Sequence, residues 1–229
     1  MAYIADKNIL FVHIPKNAGK SIEAALDLLG GSSFKALGGR HSANRLFTYF
    51  QRRTRNVDAA RVLHGTLDVA LCAQHLTLQE IQLLRFLPDT ARDGLRSFCV
   101  CRNPWDRALS TYRHFRAVKD PDPAKFEAFC GQWYDQPARD HNELAHQRLQ
   151  IDFILDVRGR PGVDRILRFE SLASDFSLLC ADWALDATKL PHIGKQGTGA
   201  AYQIFYTDRA KEIIAERFAE DVEYFGYEF

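Results

Sequence analysis

Two stretches of the sequence place basic residues where backbone and side chains could bind an anion together. In the first, an apolar run at 9–14 stops at Pro15 and Lys16, and a Gly-Lys-Ser tripeptide at 19–21 opens an amphipathic segment. This order predicts a strand, a loop and the N-terminus of a helix. Free N–H groups and the positive end of the helix dipole favour a phosphate or sulfate group at such a turn. We therefore predict an anionic-nucleotide site near the start of the chain.

The second stretch begins where another apolar run, 96–101, reaches Arg102. Its sequence at 102–112 is Arg-Asn-Pro-Trp-Asp-Arg-Ala-Leu-Ser-Thr-Tyr. The proline suits the first turn of a helix, where its missing N–H is no loss. The apolar residues of this stretch have helical spacing, which predicts one buried face. A strand, a turn and a helix are predicted, so Arg102 and Ser110 can converge on one anion.

The first stretch is close to a P-loop, Gly-x-x-x-x-Gly-Lys-Ser/Thr, but departs from that pattern at one position. The pattern requires a glycine at position 14, where this chain has Ile14. That glycine lets the loop wrap closely around a β-phosphate. The isoleucine argues against an ordinary ATP or GTP site, and an ATP-dependent small-molecule kinase that uses Mg²⁺ is kept as the alternative.

Both stretches resemble motifs of one enzyme family. His-Ile-Pro-Lys-x-x-Gly-x-Ser, which ends at position 21, resembles the 5′-phosphosulfate loop of sulfotransferases that use 3′-phosphoadenosine 5′-phosphosulfate (PAPS). The stretch 102–112 is similar to the 3′-phosphate motif of the same family. The segments 165–172 and 224–229 also look like bacterial members related to the carbohydrate sulfotransferases. The chain thus resembles the PAPS-dependent sulfotransferases of the carbohydrate type, the sulfotransferase family 2-like members.

The resemblance implies roles for particular residues. Lys16 would stabilise the bridging oxygen that departs with the product PAP, and Arg102 and Ser110 would bind the 3′-phosphate. Lys195 and Gly197 resemble the late basic loop that closes over the donor nucleotide. The donor-binding residues implied in the first loop are Pro15, Lys16, Asn17, Ala18, Gly19, Lys20 and Ser21. No metal ion is expected to take part.

The acceptor hydroxyl needs a base, and histidine is the side chain whose pKa best matches neutral pH. Among eight histidines, His75 lies between the two motifs and directly before a predicted helix. Its setting resembles the Gly-His segment that supplies the base in carbohydrate-type relatives, with Gln74 in place of the glycine. His64, followed by Gly65, is the alternative base, and a carboxylate is a third.

Strands and helices alternate along the chain. Strands are predicted at 8–14, 68–73, 96–101 and 164–169, and helices at 19–29, 42–55, 77–87, 104–118, 123–134, 139–149, 171–184 and 207–224. This alternation predicts an α/β fold with a central parallel sheet and helices on both faces. The resemblance implies the three-layer α/β/α sulfotransferase fold, which is P-loop NTPase-like, as a single domain over 1–229. Ligands of such sheets bind at the carboxyl ends of the strands.

Composition narrows the possible partners of the protein and its cellular compartment. The net charge of +1 and the absence of an arginine-rich stripe argue against nucleic acid as a partner. Neither a signal peptide nor a membrane span is predicted, and an odd number of scattered cysteines suits a reducing compartment. We expect a cytoplasmic, bacterial enzyme whose partners are a nucleotide donor and a hydroxyl acceptor: a sugar, a lipid or a secondary metabolite. A homo-oligomer and a catalytically silent PAP-binding module stay open.

Overall fold

The computed structural model describes residues 2–4, 7–26, 75–83, 87, 93–185, 190 and 201–229. The predicted strand 68–73, the predicted helix 42–55 and the residues His64, Lys195 and Gly197 lie outside these ranges. The described part carries both candidate anion-binding stretches and the predicted base.

Four short strands among the described residues form one sheet in the spatial order β1-β2-β3-β4. They are β1 (Ala2–Ile4), β2 (Ile9–Val12), β3 (Arg96–Cys101) and β4 (Arg165–Arg168). The last three are parallel, with Phe11 opposite Phe98 and Cys99 opposite Ile166. The predicted parallel arrangement is confirmed for these strands, so their carboxyl ends lie at one edge of the sheet.

β1 departs from the prediction, because it pairs with β2 in the antiparallel direction. Ala2 lies opposite Phe11, and Ile4 lies opposite Ile9. Three residues are too few to establish a period of two, so the sequence carried no usable signal for this strand. The sheet is therefore mixed rather than wholly parallel.

Helices follow and connect the strands. In chain order they are α1 (Gly19–Ala25), α2 (Leu78–Leu83), α3 (Pro104–Arg116), α4 (Pro123–Gln132), α5 (His141–Gln147), α6 (Gln150–Ile154), α7 (Leu172–Trp183), α8 (Asp208–Arg217) and α9 (Ala219–Phe225). Short 3₁₀ turns occupy Phe169–Ser171 and Tyr202–Phe205. Of the helices described, none is both long and apolar enough to cross a membrane.

Both faces of the sheet are buried. Successive side chains of a strand point to opposite faces, so a continuous apolar run such as β2 is buried on both sides. One core cluster contains Leu10, Val12, Cys99 and Cys101 together with side chains of α3, α4 and α8. The other contains Ile9, Phe11, Phe98 and Val100 together with side chains of α1 and α7. The alternation of strands and helices thus produces helices on both faces, as predicted.

α3 carries the second candidate stretch and matches the predicted helix apart from its last two residues. The side chain of Asn103 caps it by accepting from the N–H of Trp105 at 3.0 Å, and Pro104 occupies the first turn. The predicted inward stripe is confirmed: Trp105, Ala108, Leu109 and Tyr112 are at most 5% exposed. This face fixes the helix against the sheet and leaves Arg102 at the end of β3.

The predicted helix 207–224 is wrong as a single element. Thr207 caps the start of α8, because its hydroxyl accepts from the N–H of Ala210 at 3.1 Å. The chain then bends at Phe218, which ends α8 and precedes α9. Phe218 is 1% exposed, so the bend buries a large side chain that a straight helix would orient differently.

The bend also positions a buried carboxylate. Asp221 accepts from the N–H groups of Gln150 at 2.8 Å and Ile151 at 2.9 Å. These N–H groups lie at the start of α6, a helix that the sequence analysis does not predict. A carboxylate at a helix start satisfies N–H groups that have no partner within the helix. A tertiary contact therefore sets both the break after α8 and the position of α6.

Candidate functional site

The loop between β2 and α1 has an unusual backbone that other side chains hold in place. Lys16 and Ala18 both have positive φ angles, 69° and 61°, a region that non-glycine residues rarely adopt. Arg107 is 2% exposed and donates from Nε to the carbonyl of Pro15 at 3.3 Å. Arg102 donates from Nη1 to the carbonyl of Lys16 at 2.8 Å. Two arginines of the second stretch thus fix the backbone of the first.

Arg107 makes its hydrogen bonds to the protein backbone. Its hydrogen bonds go to backbone carbonyls, namely those of Pro15 and of Arg148 at 3.0 Å. Asp221 attracts the guanidinium electrostatically. Arg107 therefore supports the loop from inside the protein rather than anchoring α3 at its surface.

Asn17 anchors the loop through its side chain. It is 1% exposed, and its Nδ2 donates to the carbonyl of Val100 in β3 and to Oε1 of Gln150, both at 2.7 Å. The sequence analysis lists Asn17 as a donor-binding residue and does not predict this anchoring contact. Within the described part of the chain, the N–H groups of residues 17–20 donate to no protein acceptor. The loop thus presents N–H groups that a bound anion can accept from.

Gly19 is required by a close approach of His13. A Cβ at this position would lie 1.9 Å from Nε2 of His13. The His13 ring is buried and its Nδ1 lies 2.8 Å from Oε1 of Glu23. Although burial opposes it, the hydrogen bond with His13 keeps the pKa of Glu23 below its usual value. The glycine of the motif therefore has a structural role, whatever its N–H binds.

Positive charge accumulates around the loop. Burial, followed by repulsion from Arg102 and Lys20, lowers the pKa of Lys16 from 10.5 to about 8. Lys20 itself is exposed. Burial and repulsion both disfavour the charged ammonium of Lys16. An anion bound between Lys16, Arg102 and Lys20 would offset the repulsion. Binding of an anion beside Lys16 would therefore be electrostatically favourable.

Arg102 is held in a defined orientation by three neighbours. Nε and Nη2 both lie 2.8 Å from Oδ2 of Asp106, and the guanidinium lies 3.9 Å from the ring centroid of Phe169. Nη1 is committed to the carbonyl of Lys16. The side chain thereby joins the carboxyl end of β3 to the loop after β2.

Ser110 lies on α3 one turn after Asp106, and its side chain is partly exposed. Residues four apart share one face of a helix, so Ser110 lies on the face that Arg102 contacts through Asp106. No hydrogen bond joins Ser110 to Arg102 in the part of the chain that is described. Their convergence on one phosphate therefore stays a prediction. Ser21 is buried at the start of α1, consistent with its place in the first motif.

Gln150 is a site residue that the sequence analysis missed. It is fully buried. Its Oε1 accepts from Nδ2 of Asn17 at 2.7 Å and from the N–H of Arg102 at 2.9 Å. Its Nε2 donates to the carbonyl of Arg102 at 2.9 Å. It touches both candidate stretches at once. Nothing in its local sequence marks it, because its partners come from distant parts of the chain.

His75 lies beside the end of β2, as the sequence analysis placed it. Its Nδ1 is 3.2 Å from the carbonyl oxygen of His13. The following helix begins with a reciprocal cap, in which Thr77 and Glu80 each accept from the other's N–H. Burial, followed by the proximity of His13 and His146, lowers the pKa of His75 well below its usual value of 6.5. With Nδ1–H donating to the carbonyl, Nε2 carries the free lone pair of a neutral imidazole.

His146 is a second histidine that the sequence analysis missed. Its ring centroid lies 5.6 Å from that of His75 and 5.4 Å from that of His114. It is 3% exposed, and its Nδ1 lies 2.7 Å from the carbonyl of Asn142. Burial lowers its pKa well below 6.5, and nearby positive charge, including that of Lys16, contributes. His146 is one polar residue within α5, and nothing in its local sequence indicated that its ring lies beside that of His75.

The described residues contain no group of three or more His, Cys, Asp or Glu side chains arranged to hold a metal ion. What they do contain is a cationic loop at the carboxyl end of one parallel strand, an arginine at the end of its neighbour, and a neutral histidine beside them. In this α/β protein, these features make the carboxyl edge of the sheet the candidate site for an anionic ligand.

Comparison with known proteins identifies the family. The chain belongs to the sulfotransferase family, whose model matches residues 2–228. It is therefore a transferase enzyme of that family, as the two motifs predicted. No curated protein and no solved structure gives a significant match.

Proposed function

We propose that this sulfotransferase uses PAPS as its donor, transfers the sulfuryl group to a hydroxyl of a carbohydrate or small-molecule acceptor, and releases PAP. We further propose that it does so as one domain over 1–229, with the sulfotransferase fold related to that of P-loop NTPases. The observation that supports this most directly is the hydrogen bond from Arg102 to the carbonyl of Lys16. It joins, at neighbouring parallel strands, the two stretches that resemble the 3′-phosphate and 5′-phosphosulfate motifs.

The residues present suit such a donor. PAPS would supply the sulfuryl group, and its phosphates carry the negative charge that the N–H groups of 17–20 and the side chains of Lys16 and Arg102 can neutralise. The lowered pKa of Lys16, about 8, reflects burial among like charges that a bound anion would compensate. Ser110 and Lys20 are proposed as further donor ligands, with Lys195 and Gly197 closing over the nucleotide.

Lys16 is proposed to act on the departing group. By analogy with phosphoryl transfer, negative charge grows on the bridging oxygen as the bond to sulfur breaks. An ammonium held at the tip of the loop stabilises that charge more strongly as it develops, which raises the rate rather than only the affinity. The αL backbone of Lys16, fixed by Arg102, holds this side chain in place.

His75 is proposed as the base. Its Nδ1 faces the carbonyl of His13, which leaves Nε2 to take the proton from the acceptor hydroxyl. Because its pKa is lowered, the imidazole is neutral near pH 7, which is the protonation state that a general base requires. His64 remains the alternative from the sequence, and His146 is an additional candidate because its ring lies beside that of His75.

The side chain at position 14 favours the sulfotransferase proposal over an ATP-dependent kinase. The side chain is 1% exposed and belongs to the core cluster that contains β2 and β3 residues. A glycine would be needed there for a loop that wraps around a β-phosphate. Instead the position is filled by a core side chain.

Nucleotide binding tests the donor assignment. Thermal unfolding of the protein with PAP, 5′-AMP or ATP, each with and without Mg²⁺, compares the ligands. A ligand that binds the native state raises the free energy of unfolding by RT ln(1 + [L]/Kd), so at equal concentration the tighter ligand stabilises more. We expect PAP to raise the melting temperature far more than 5′-AMP, independently of Mg²⁺. Equal shifts for all three nucleotides would refute the 3′-phosphate assignment, and a shift that only ATP with Mg²⁺ produces would support the kinase.

A further inference from the structure

One buried side chain, Gln150, connects the two anion-binding stretches. Its Oε1 accepts from Nδ2 of Asn17 at 2.7 Å, and it also accepts from the N–H of Arg102 at 2.9 Å. Its Nε2 donates to the carbonyl of Arg102 at 2.9 Å. A single amide thus holds the loop after β2 on one side and the backbone after β3 on the other.

The amide is itself held in place. Its residue is fully buried, and the backbone N–H of Gln150 donates to the carboxylate of Asp221 at 2.8 Å. Asp221 is also fully buried. A buried amide whose oxygen accepts two hydrogen bonds cannot rotate without leaving polar groups unpaired, which costs far more than an exposed hydrogen bond contributes. Together with the hydrogen bonds of Asn17 to the Val100 carbonyl and of Arg102 to the Lys16 carbonyl, this amide sets the spacing between Asn17 and Arg102.

The amide of Gln150 thus forms a bridge between Asn17 and Arg102, and both of these residues belong to the proposed donor site. Asn17 follows Lys16 in the loop that is proposed to bind the 5′ end of the donor. Arg102 carries the guanidinium that is proposed to bind the 3′-phosphate. A bidentate ligand gains affinity from its second group only if both subsites are already at the correct spacing.

We propose that Gln150 is a positioning residue that fixes the spacing between the 5′ and 3′ subsites, and thereby determines how much the 3′-phosphate adds to nucleotide affinity. The proposal rests on the proposed PAPS-dependent function. It differs from a general structural role in one respect: removing the bridge should change the preference between nucleotides and not only the stability of the fold.

The test compares Gln150→Met with a matched control, Gln147→Met. Gln147 is also a buried glutamine, and its Nε2 donates to the carbonyls of Trp133 at 2.8 Å and Gln136 at 2.9 Å. It ties α5 to the chain after α4 and bonds to neither anion-binding stretch. Both variants lose a buried amide of the same size. Dissociation constants for PAP and 5′-AMP are measured by calorimetry for the native protein and for each variant.

We expect the ratio of the two dissociation constants, 5′-AMP over PAP, to fall by about tenfold or more in Gln150→Met, the order of one hydrogen bond to a charged group. The ratio should be unchanged in Gln147→Met even if that variant is equally destabilised. Gln150→Asn keeps both amide groups on a side chain one methylene shorter, which cannot reach all of the same partners at once, so it should lower the ratio by a smaller factor. It also serves if Gln150→Met does not fold.

The outcomes separate this inference from the function on which it rests. If the native protein itself binds PAP and 5′-AMP equally, the donor assignment fails, and the inference fails with it. If the native protein prefers PAP but the Gln150 variants keep the native ratio, the donor assignment stands and the positioning role of Gln150 is overturned. An equal fall in Gln147→Met would also overturn it, because the effect would then follow from lost packing alone.

Discussion

The guanidinium of Arg102 donates to the backbone carbonyl of Lys16 at 2.8 Å while its other two nitrogens pair with Asp106. A side chain at the end of β3 therefore holds the turn that follows β2. The orientation of Lys16 depends on this contact, because its positive φ is strained for a residue with a side chain. Residues that the sequence separates by more than eighty positions act as one unit.

Substitution of Arg102 should weaken nucleotide binding. Arg102→Ala removes both the proposed 3′-phosphate ligand and the support for Lys16, so we expect the affinity for PAP to fall about 10- to 100-fold, measured by calorimetry. Arg102→Lys should restore it only partly, since an ammonium cannot bond to Asp106 and the Lys16 carbonyl in the same fork geometry. Arg209→Ala, which removes an exposed arginine paired with Glu212, is the control. Native affinity in Arg102→Ala would contradict the assignment.

The lowered pKa of Lys16 predicts a pH dependence of anion binding. Below about pH 8 the ammonium is already charged and PAP binds without taking up a proton. Above that value binding requires protonation of Lys16, so the affinity should decline with rising pH. Lys16→Arg keeps its charge throughout this range and should lose this decline, while Lys16→Ala should lower kcat more than affinity. The measurement is calorimetry with PAP across pH; a flat native profile through pH 8 would argue against Lys16 as a ligand.

Loss of the base should affect chemistry and spare donor binding. His75→Ala should lose about 10²- to 10⁴-fold in kcat/KM, the usual contribution of a general base, with PAP affinity unchanged. Because only the neutral imidazole accepts a proton and its pKa is lowered, the acidic limb of the native profile should lie below pH 6.5.

Two further variants decide between the candidate histidines. His146→Ala and His64→Ala are measured beside His75→Ala under the same conditions. Full activity in His75→Ala together with a large loss in His64→Ala would place the base at His64, and the corresponding result for His146 would place it there. If all three stay active, a carboxylate or the acceptor itself takes the proton.

The glycine of the first motif should be sensitive for steric reasons. Gly19→Ala places a Cβ within 1.9 Å of the His13 ring, so we expect a loss of about 1–3 kcal/mol in unfolding free energy. Gly131→Ala is the control: the nearest side-chain atom to its Cβ, Cδ1 of Ile213, is 3.6 Å away, and the site lies within α4. That variant should be neutral or slightly stabilising. Denaturant unfolding measures both, and equal stability would show that the His13 ring moves aside without cost.

Local patterns predicted the elements that carry the site. The apolar runs of β2 and β3 and the stripe of α3 are signals that residues give through their own neighbours, and each is confirmed. β1 was not predicted because three residues are too few to show a period. The bend at Phe218 was not predicted because the helical pattern continues through it. The bend depends on a distant segment, because Asp221 beyond it bonds to the start of α6.

The candidate site was predictable only as far as its ionisable residues. Lys16, Arg102 and His75 stand out by type and by their place at predicted strand ends. Gln150 and His146 do not, because each is an ordinary polar residue in a helical segment until the fold surrounds it. A buried polar group derives its role from its partners, and those partners are visible only in three dimensions.

Transfer of labelled sulfate tests the central claim most directly. The purified protein is incubated with ³⁵S-labelled PAPS and a mixture of carbohydrates and small metabolites, with Lys16→Ala as the inactive control. The account predicts that label appears in a sulfate ester of a hydroxyl-bearing acceptor, that PAP accumulates in equal amount, and that Lys16→Ala forms little of either. Tight binding of PAP with no labelled product would instead indicate a silent binding module, and labelled product at native rates in Lys16→Ala would contradict the proposed chemistry.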